Sequence, residues 1–503
     1  MLHDKALISI QVMPTQHPIL YQINTRVWVK RFGPQATLAD VPLGYWSQLA
    51  RLGVDYVWLM GVWQTGPNVL EYALEPGLRA EYSRVLPDWT EEDVIGSPYA
   101  IDTYTVHQNL GDAHSLSAVR QHIHAAGMRL ILDFVPNHFH AESRWLAEHP
   151  EFFLAGDTNL LERDPSTFYR SRVAPGHIFA HGKDPYFAAW QDTVQLNYAN
   201  AATQAFMAEQ LAAVAAQCDG VRCDMAMLLL PQVFGRTWQH VLADGAEPIA
   251  DFWSDTIPKL KAAYPEFLLL AEVYWDLEWE LQQRGFDYTY DKRLLDRLHQ
   301  RDTKAIRDHL QAAPDFQRKS IRFLENHDED RALATMLPQQ VQAAALVAYT
   351  VPGLRFFYEG QWEGRRLRLP VQLGRLPDEY DPLDHYGRSL HDLPLTRLPG
   401  FRPVSQREPA FYDWLLTLLG QPIIREGRWK LINTPYSHLL VWQWQHQTQE
   451  LIVIVNYTEA QLVADLCTSL GMRQARDIWE RTLNLDSLRL NGYDWLVLKK
   501  GEV

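Results

Sequence analysis

The chain has 503 residues, of which 47% are hydrophobic and 21% charged, a composition typical of globular proteins with a full core. Its formal net charge of −14 argues against nucleic acid or an anionic membrane surface as a partner. Three cysteines are too few for a disulfide framework, and no signal peptide or membrane-length apolar run is evident, so we expect a cytoplasmic protein with reduced thiols.

Eight short β-rich runs, separated by helix-like segments, follow one another from residue 20 to residue 358. Several are almost continuously apolar, as expected for strands covered by helices. The runs are Leu20–Val29, Tyr56–Met60, Arg129–Phe134, Gly220–Cys223, Phe267–Val273, Phe286–Tyr288, Ser320–Leu324 and Leu354–Tyr358. The clearest helix-like segments are Ser115–Ala126, Ala202–Gln217, Trp253–Tyr264 and Pro338–Thr350. This alternation predicts an α/β fold, a parallel (β/α)8 or TIM barrel.

Three stretches do not fit a plain barrel. Residues 61–114 and 138–200 are too long for simple connections and indicate insertions, the second a small subdomain after strand three. Beyond residue 420 the runs LLVWQWQ, ELIVIVNY and DWLVLKK have no helical partners, which indicates antiparallel strands. We therefore predict a catalytic barrel of residues 1–137 and 201–419, an inserted subdomain at 138–200 and a β-sandwich-like domain at 420–503.

Four acidic segments lie at the ends of predicted strands. They are LILDFVPNH (130–138), DGVRCD (219–224), LLLAEVYW (268–275) and IRFLENHDED (321–330). The carboxyl ends of barrel strands carry the chemistry of such folds. The carboxylates delivered there are Asp133, Asp224, Glu272 and Asp328, and the last three would make a set for breaking glycosidic bonds.

Two of these segments indicate different roles for their carboxylates. Alternation along DGVRCD puts Arg222 and Asp224 on one face, and a neighbouring guanidinium stabilises the negative charge that a nucleophile needs. A buried structural ion pair explains the same pattern. Glu272 ends an apolar run, and burial without a salt-bridge partner raises a carboxyl pKa toward that of a general acid.

The other two segments supply polar partners. In ENHDED, His327 and Asp328 can exchange hydrogen bonds with sugar hydroxyls. In DFVPNH, Asp133 is expected to orient Arg222 or to hold the loop, and His138 to reach a hydroxyl.

A metal-binding interpretation competes with this one. His138, His140 and Glu142 resemble a metal pair with a carboxylate. Metal-dependent amidohydrolase barrels place their His-x-His after strand one, whereas this one follows strand three.

Together the four segments resemble the four sequence regions of glycoside hydrolase family 13, the α-amylase family. They stand in the family's order over roughly residues 20–360, with the GxRxD pattern and the NHD triplet intact. The resemblance implies that Asp224 is the nucleophile, Glu272 the general acid/base and Asp328 the transition-state stabiliser. Further matches are GSPYAIDTY (96–104), VQLNYAN (194–200) and GLRFFYEGQ (353–361). The implied sugar-contacting residues are Tyr99, His138, Arg222 and His327, with Asp133 and Asn137 in support.

The chain departs from the family at two places. Many α-amylases carry Lys-His three and four residues after the nucleophile, where this chain has Met227 and Leu228, an expected apolar surface. The fifth region often has a calcium-binding Asp, where this chain has Gln195, and an amide is a poorer calcium ligand than a carboxylate. With only Asn137 remaining, we expect no metal at that site and no cofactor, although calcium could bind through other residues of 138–200.

The resemblance implies a retaining α-glycoside hydrolase that acts on an oligosaccharide or polysaccharide α-glucan or an α-glucoside. A transglycosylase, or an isomerase that rearranges a disaccharide, would use the same three carboxylates, and Trp275 is placed to stack against an acceptor sugar. A non-catalytic carbohydrate-binding protein on the same barrel would have lost the nucleophile or the acid, and both are present. The sequence gives neither linkage specificity nor oligomeric state.

Overall fold

A closed barrel of eight parallel strands forms the centre of the computed structural model, which describes residues 16–242, 248–377 and 411–500. The eighth strand closes onto the first, with Ile19 opposite Arg355. From β1 to β8 the strands are Ile19–Asn24, Tyr56–Met60, Arg129–Phe134, Gly220–Cys223, Leu268–Ala271, Tyr288–Tyr290, Ser320–Arg322 and Leu354–Tyr358. The predicted barrel is confirmed.

The predicted strand bounds hold for β2, β3, β4 and β8 and change for the rest. The first strand ends at Asn24, because the chain turns into a short helix at Thr25–Trp28 where a strand to Val29 was predicted. The sixth strand begins at Tyr288 and not at Phe286. Phe286 follows Gly285, which has a positive φ, and its amide still donates to the Leu281 carbonyl of the preceding helix. β5 and β7 are shorter than predicted.

Helices cover the outside of the barrel. Acidic or amide side chains cap the N-termini of several of these helices. Asp112 accepts a hydrogen bond from the Ser115 amide at 2.9 Å, and Asp291 accepts one from the Leu294 amide at 3.1 Å. Helices α1 to α8 are Leu43–Arg51, Ala113–Ala125, Ala201–Ala215, Phe252–Ala263, Glu278–Gln283, Lys292–Gln300, Pro338–Tyr349 and Phe411–Leu419. The four helix-like segments predicted from the sequence correspond to α2, α3, α4 and α7.

Both long connections fold into small antiparallel pairs beside the barrel. In 61–114, Trp63–Thr65 pairs with Ile101–Val106. In 138–200, His138–His140 pairs with Thr193–Gln195, and Phe168–Arg170 with Ile178–Ala180. Further α-helices are Val69–Ala73, Pro76–Val85, Trp145–Glu148, Thr158–Arg163, Pro231–Trp238, Thr303–Leu310, Pro314–Arg318, Ala332–Thr335, Pro422–Arg425 and Cys467–Leu470. The 3₁₀ turns are Val29–Phe32, Leu38–Asp40, Glu91–Asp93, Gln108–Leu110, Pro150–Phe152 and Ala226–Leu229.

The C-terminal part of the chain forms a six-stranded antiparallel sheet. From β9 to β14, in chain order, its strands are Arg428–Leu431, Leu439–His446, Gln449–Asn456, Gln474–Asp477, Thr482–Asn484 and Trp495–Lys500. Their order in the sheet is β9-β10-β11-β14-β12-β13. One face joins the barrel core, where Trp444 donates to the Thr350 carbonyl at 2.6 Å. The other packs on a two-stranded sheet of Leu462–Ala464 and Leu488–Leu490. The predicted C-terminal sheet is confirmed, whereas the domain boundaries stay predictions.

The structure bears on two features noted in the composition, the cysteines and the lack of a membrane-length apolar run. Cys218, Cys223 and Cys467 all carry free thiols, and Cys223, the last residue of β4, is fully buried. Within residues 16–242, 248–377 and 411–500, every helix is too short or too polar to cross a lipid bilayer.

Candidate active site

The four acidic segments meet at the carboxyl ends of the barrel strands. Asp133 lies in β3, Asp224 and Glu272 directly follow β4 and β5, and Asp328 lies in the loop after β7. The charges of Asp224 and Asp328 both raise the pKa of Glu272, so the three carboxylates belong to one electrostatic site. The structure therefore brings together the residues that the sequence analysis singled out.

Arg222 lies at the centre of this site and is almost fully buried. Its Nη1 lies 2.6 Å from Asp224 Oδ1 and its Nη2 lies 2.7 Å from Glu272 Oε2. The aromatic rings of Trp58 and Tyr99 lie 5.2 Å from its guanidinium carbon, which shields the cation from water. One guanidinium thus fixes the relative position of the two carboxylates.

Glu272 has more partners than the sequence analysis expected. The prediction that it lacks a salt-bridge partner is wrong, because Arg222 contacts Oε2. The Met225 amide also donates to Oε2 at 2.7 Å, and the Tyr274 hydroxyl donates to Oε1 at 2.8 Å. Burial still outweighs the cation and raises the pKa of Glu272 to about 7. Glu272 therefore keeps a proton available near neutral pH.

Asp133 supports the turn after β2. Its carboxylate accepts from Trp58 Nε1 at 3.1 Å and from the Gly61 amide at 2.7 Å. Gly61 has a φ of +75°, and a Cβ there would lie 2.8 Å from Pro98, so the turn needs glycine. Burial raises the pKa of Asp133 to about 7. Of its two predicted roles, these hydrogen bonds favour holding the loop.

His327 is held by hydrogen bonds to both ring nitrogens. Gln22 Nε2 lies 2.7 Å from its Nδ1, and the Tyr99 hydroxyl lies 2.7 Å from its Nε2. Asp328 Oδ2 is 3.0 Å from the same Nε2, and its side chain is 46% exposed. Burial lowers the pKa of His327 to about 4, so the ring is neutral at pH 7. Asp328 is thus far more exposed than Asp224 and Glu272.

The residues at the family's calcium position do not fit a cation. Gln195 Nε2 donates toward the Asn137 carbonyl at 3.0 Å, Asn137 Oδ1 at 3.0 Å and the Leu196 carbonyl at 3.1 Å. Three oxygens that could otherwise coordinate calcium therefore converge on an amide N–H₂ group. Asn137 returns a bond of 3.3 Å to Gln195 Oε1 and supports the neighbouring His138.

The described residues do not support the competing metal interpretation. His138 packs against Trp190 at 5.4 Å between ring centroids, and His140 packs against Tyr72 at 5.4 Å. Glu142 instead accepts from Asn68 Nδ2 at 2.8 Å. Across the described parts of the chain, no three His, Cys, Asp or Glu side chains are grouped as metal ligands.

A cavity of about 380 Å³ lies beside Glu272: it is lined by Met225 and Tyr274, which both hydrogen-bond to Glu272, and its wall is partly aromatic. Met227 and Leu228, expected to form an apolar surface, are buried in the turn Ala226–Leu229, with exposures of 0% and 3%. Only Met225, which has a left-handed φ of +43°, lines the cavity from this segment. The other lining residues are Asp184, Phe187, Tyr274, Trp275, Glu278, Lys292, Arg293, Asp296 and Glu329.

Trp275 lines this cavity, and its ring lies edge-on to Tyr186 of the 138–200 insertion at 4.9 Å. Its stacking against an acceptor sugar stays a prediction. Sequence reasoning missed Gln22, Tyr274 and Trp190. A buried amide in the apolar run ILYQI is a recognisable signal for Gln22. Trp190 carries no such signal, because its contact with His138 depends on how two separate segments meet. Tyr274 lies two positions after Glu272, the same spacing that pairs Arg222 with Asp224, and this was the signal that could have found it.

Comparison with known proteins gives one family and many structures of the same fold. Residues 46–366 match the sequence profile described as "Alpha amylase, catalytic domain". α-Amylase MalA of Haloarcula japonica is 24% identical over 336 residues, which cover 64% of this chain and 40% of that protein. The chain thus spans less than half the length of this relative.

Solved structures agree over almost the whole chain. A noncanonic maltogenic α-amylase, AmyB of Thermotoga neapolitana, is 18% identical with a TM-score of 0.66 and covers 98% of this chain and 100% of its own. The Geobacillus thermoleovorans α-amylase complexed with acarbose is 17% identical with a TM-score of 0.60, and the match covers 96% of this chain and 98% of that one. The cyclic α-maltosyl-(1→6)-maltose hydrolase of Arthrobacter globiformis is 15% identical with a TM-score of 0.63, and the match covers 97% of this chain and 98% of that one. At these identities the likeness concerns the fold.

Proposed function

The chain belongs to the α-amylase family of glycosidases, and from this we propose that it is a retaining α-glycoside hydrolase of α-glucans or α-glucosides. One observation carries the proposal. Arg222 holds Asp224 and Glu272 at the ends of neighbouring strands, and burial leaves Glu272 with a pKa of about 7. A carboxylate paired with a cation and a carboxyl that keeps its proton are the two groups that this reaction requires.

In the proposed reaction Asp224 attacks the anomeric carbon while Glu272 gives its proton to the departing glycosidic oxygen. The bond between sugar and leaving group breaks, and a sugar ester of Asp224 forms. Glu272, now ionised, takes a proton from water, whose oxygen attacks the same carbon and releases Asp224. Asp328 stabilises the positive charge that develops on the sugar in both steps. This mechanism requires the two carboxyl groups to be roughly 5–5.5 Å apart, whereas inversion needs roughly 6.5–9.5 Å.

The groups around the three carboxylates suit a sugar ring. His327 is neutral and buried beside Asp328, and its Nε2 points toward Tyr99 and Asp328. His138 lies on the insertion side, with a pKa lowered by burial. We propose that both histidines, Tyr99 and Arg222 orient the sugar that is cleaved.

Transfer to an acceptor sugar is a second candidate, and the cavity beside Glu272 favours it. Phe187, Tyr274 and Trp275 line that cavity, and aromatic rings stack on the apolar faces of sugars. An acceptor held there could replace water in the second step. The same cavity would hold the leaving part of the substrate in hydrolysis, so the products distinguish the two candidates.

The product profile from maltoheptaose tests the proposal. Hydrolysis gives only shorter sugars, transfer gives longer ones, and isomerisation gives rearranged ones, and Asp224→Ala should abolish all of them. Asp255→Ala is the matched control, because Asp255 is an exposed carboxylate on α4. Turnover that survives Asp224→Ala would refute the proposal. If the wild type leaves maltoheptaose intact, the same pair of variants is assayed on sucrose, trehalose and α-1,6-linked substrates.

A further inference from the structure

The two carboxylate oxygens of Glu272 have different surroundings. Oε2 accepts from Arg222 Nη2 and from the Met225 amide, both at 2.7 Å. Oε1 accepts from the hydroxyl of Tyr274 at 2.8 Å. We propose that Tyr274 is a positioning residue that holds Oε1 of Glu272 as the oxygen that exchanges the catalytic proton. This inference rests on the proposed role of Glu272 as the general acid/base.

The hydrogen-bond pattern determines which oxygen carries the proton. A proton on Oε2 would point at the N–H groups of Arg222 and Met225, which can only donate. The proton therefore sits on Oε1. A tyrosine hydroxyl can both donate and accept, so Tyr274 remains a partner of Oε1 in the protonated and the ionised state of Glu272.

The backbone that follows Tyr274 gives a second, independent observation. Trp275 and Asp276 have φ values of +66° and +63°, in the left-handed region that non-glycine residues seldom adopt. Two such residues in a row are costly, and backbone strain of this kind concentrates at functional sites. Arg293 bonds to Asp276 at 2.6 Å, and Tyr186 packs on Trp275, which hold the turn in place. The strained turn thus begins directly after the residue that bonds to Glu272.

Several charged and titratable groups face Glu272 from neighbouring elements. Arg222 lowers its pKa, and Asp224 and Asp328 raise it. Tyr290 on β6 faces the same carboxyl. Burial raises the pKa of Tyr274 far above its usual value, so its hydroxyl keeps its proton across the working range. Because this hydroxyl stabilises the ionised form of Glu272 when it donates, its removal should raise the pKa of the acid.

The test is Tyr274→Phe, which keeps the ring and removes the hydroxyl. With maltoheptaose we expect kcat to fall about 10-fold to 100-fold, as for a lost hydrogen bond to a charged group. The basic limb of the pH profile should move up by about one pH unit. With α-maltosyl fluoride, whose fluoride leaves without a general acid, the first chemical step should change less than threefold (roughly the scatter expected without a lost contact).

Controls separate the inference from the proposed function. Tyr264→Phe removes a hydroxyl near the start of β5, away from Glu272, and should leave both substrates and the pH profile unchanged. Tyr274→His keeps a donor and should recover part of the loss, which also covers poor folding of the Phe variant. Equal losses on both substrates, or an unmoved basic limb, would overturn the role of Tyr274. A Glu272→Gln variant with wild-type rates would instead refute the general acid itself.

Discussion

Arg222 donates to Asp224 across 2.6 Å, although only Cys223 separates the two residues in the sequence. Such a contact between residues of one extended segment requires both side chains to point the same way from the strand, which β geometry provides every second residue. The other arm of the guanidinium reaches Glu272 from the next strand. The barrel therefore places the proposed nucleophile and acid through a single cation.

Arg222→Lys should reduce kcat by about 100-fold to 1000-fold, the usual effect of removing one preorganised electrostatic contact. Lysine keeps the positive charge, but one ammonium cannot occupy the positions of both Nη atoms. The measurement is kcat on maltoheptaose, with thermal unfolding to confirm the fold. Arg129→Lys is the control, because Arg129 is exposed at the start of β3. A twofold effect of Arg222→Lys would show that charge alone is sufficient.

The rate should fall as the pH rises through about 7. Glu272 must be protonated to give its proton to the leaving group, and burial raises its pKa to about 7 from the ordinary 4.5. The basic limb of kcat/KM therefore reports Glu272 and lies in the neutral range. A basic limb below pH 5.5 would contradict this assignment.

The assignment of the basic limb of the pH profile to Glu272 has its own control. In Glu272→Gln the residual activity should show no basic limb near pH 7, because glutamine does not titrate. The residual activity is followed with maltoheptaose, because α-maltosyl fluoride needs no general acid and would show no such limb even in the wild type. A limb that stays at the same pH in this variant would belong to another group.

The sequence was sufficient to predict the barrel and the positions of those side chains that depend on strand geometry. Period-two alternation along DGVRCD placed Arg222 beside Asp224, and strand ends placed Glu272 and Asp328 at the same end of the barrel. These placements depend on short-range geometry and on the rule that parallel strands share one active edge.

Contacts between distant segments were beyond the sequence. Arg222 reaches Glu272 across 50 positions, so the expectation of an unpaired acid was wrong. Met227 and Leu228 enter the core because Met225 turns left-handed, and a single left-handed residue has no dependable signature in an apolar run.

Phe187→Ala should lower kcat/KM for maltoheptaose by about 3-fold to 10-fold, the effect of one lost aromatic stacking contact. Phe187 is 70% exposed and lines the cavity beside Glu272, so it can contact sugar without supporting the core. The loss should be small for α-maltosyl fluoride, which has no sugar on the leaving side. Tyr264→Ala serves as the exposed aromatic control. Equal losses on both substrates would place Phe187 outside the leaving-group site.

Gln195→Glu should make the stability of the protein dependent on a divalent cation. The glutamate replaces an N–H₂ group by an oxygen at a position where three oxygens already lie at 3.0, 3.0 and 3.1 Å. Four oxygens without a proton or a cation between them repel one another, and the site is fully buried. Calcium is the cation that such a group of carbonyl and carboxylate oxygens binds.

The readout is the unfolding temperature with EDTA and with millimolar calcium. Wild type should show the same value in both, since the Gln195 N–H₂ group already occupies the position between the three oxygens that a cation would need. The variant should unfold several degrees lower in EDTA, consistent with a loss of about 1–3 kcal/mol for a buried unpaired polar group, and calcium should restore most of this loss. Gln217→Glu, on the barrel exterior, is the matched control. A wild-type protein that EDTA destabilises would show that calcium binds through other residues, and a variant that calcium fails to stabilise would show that the three oxygens do not form a cation site.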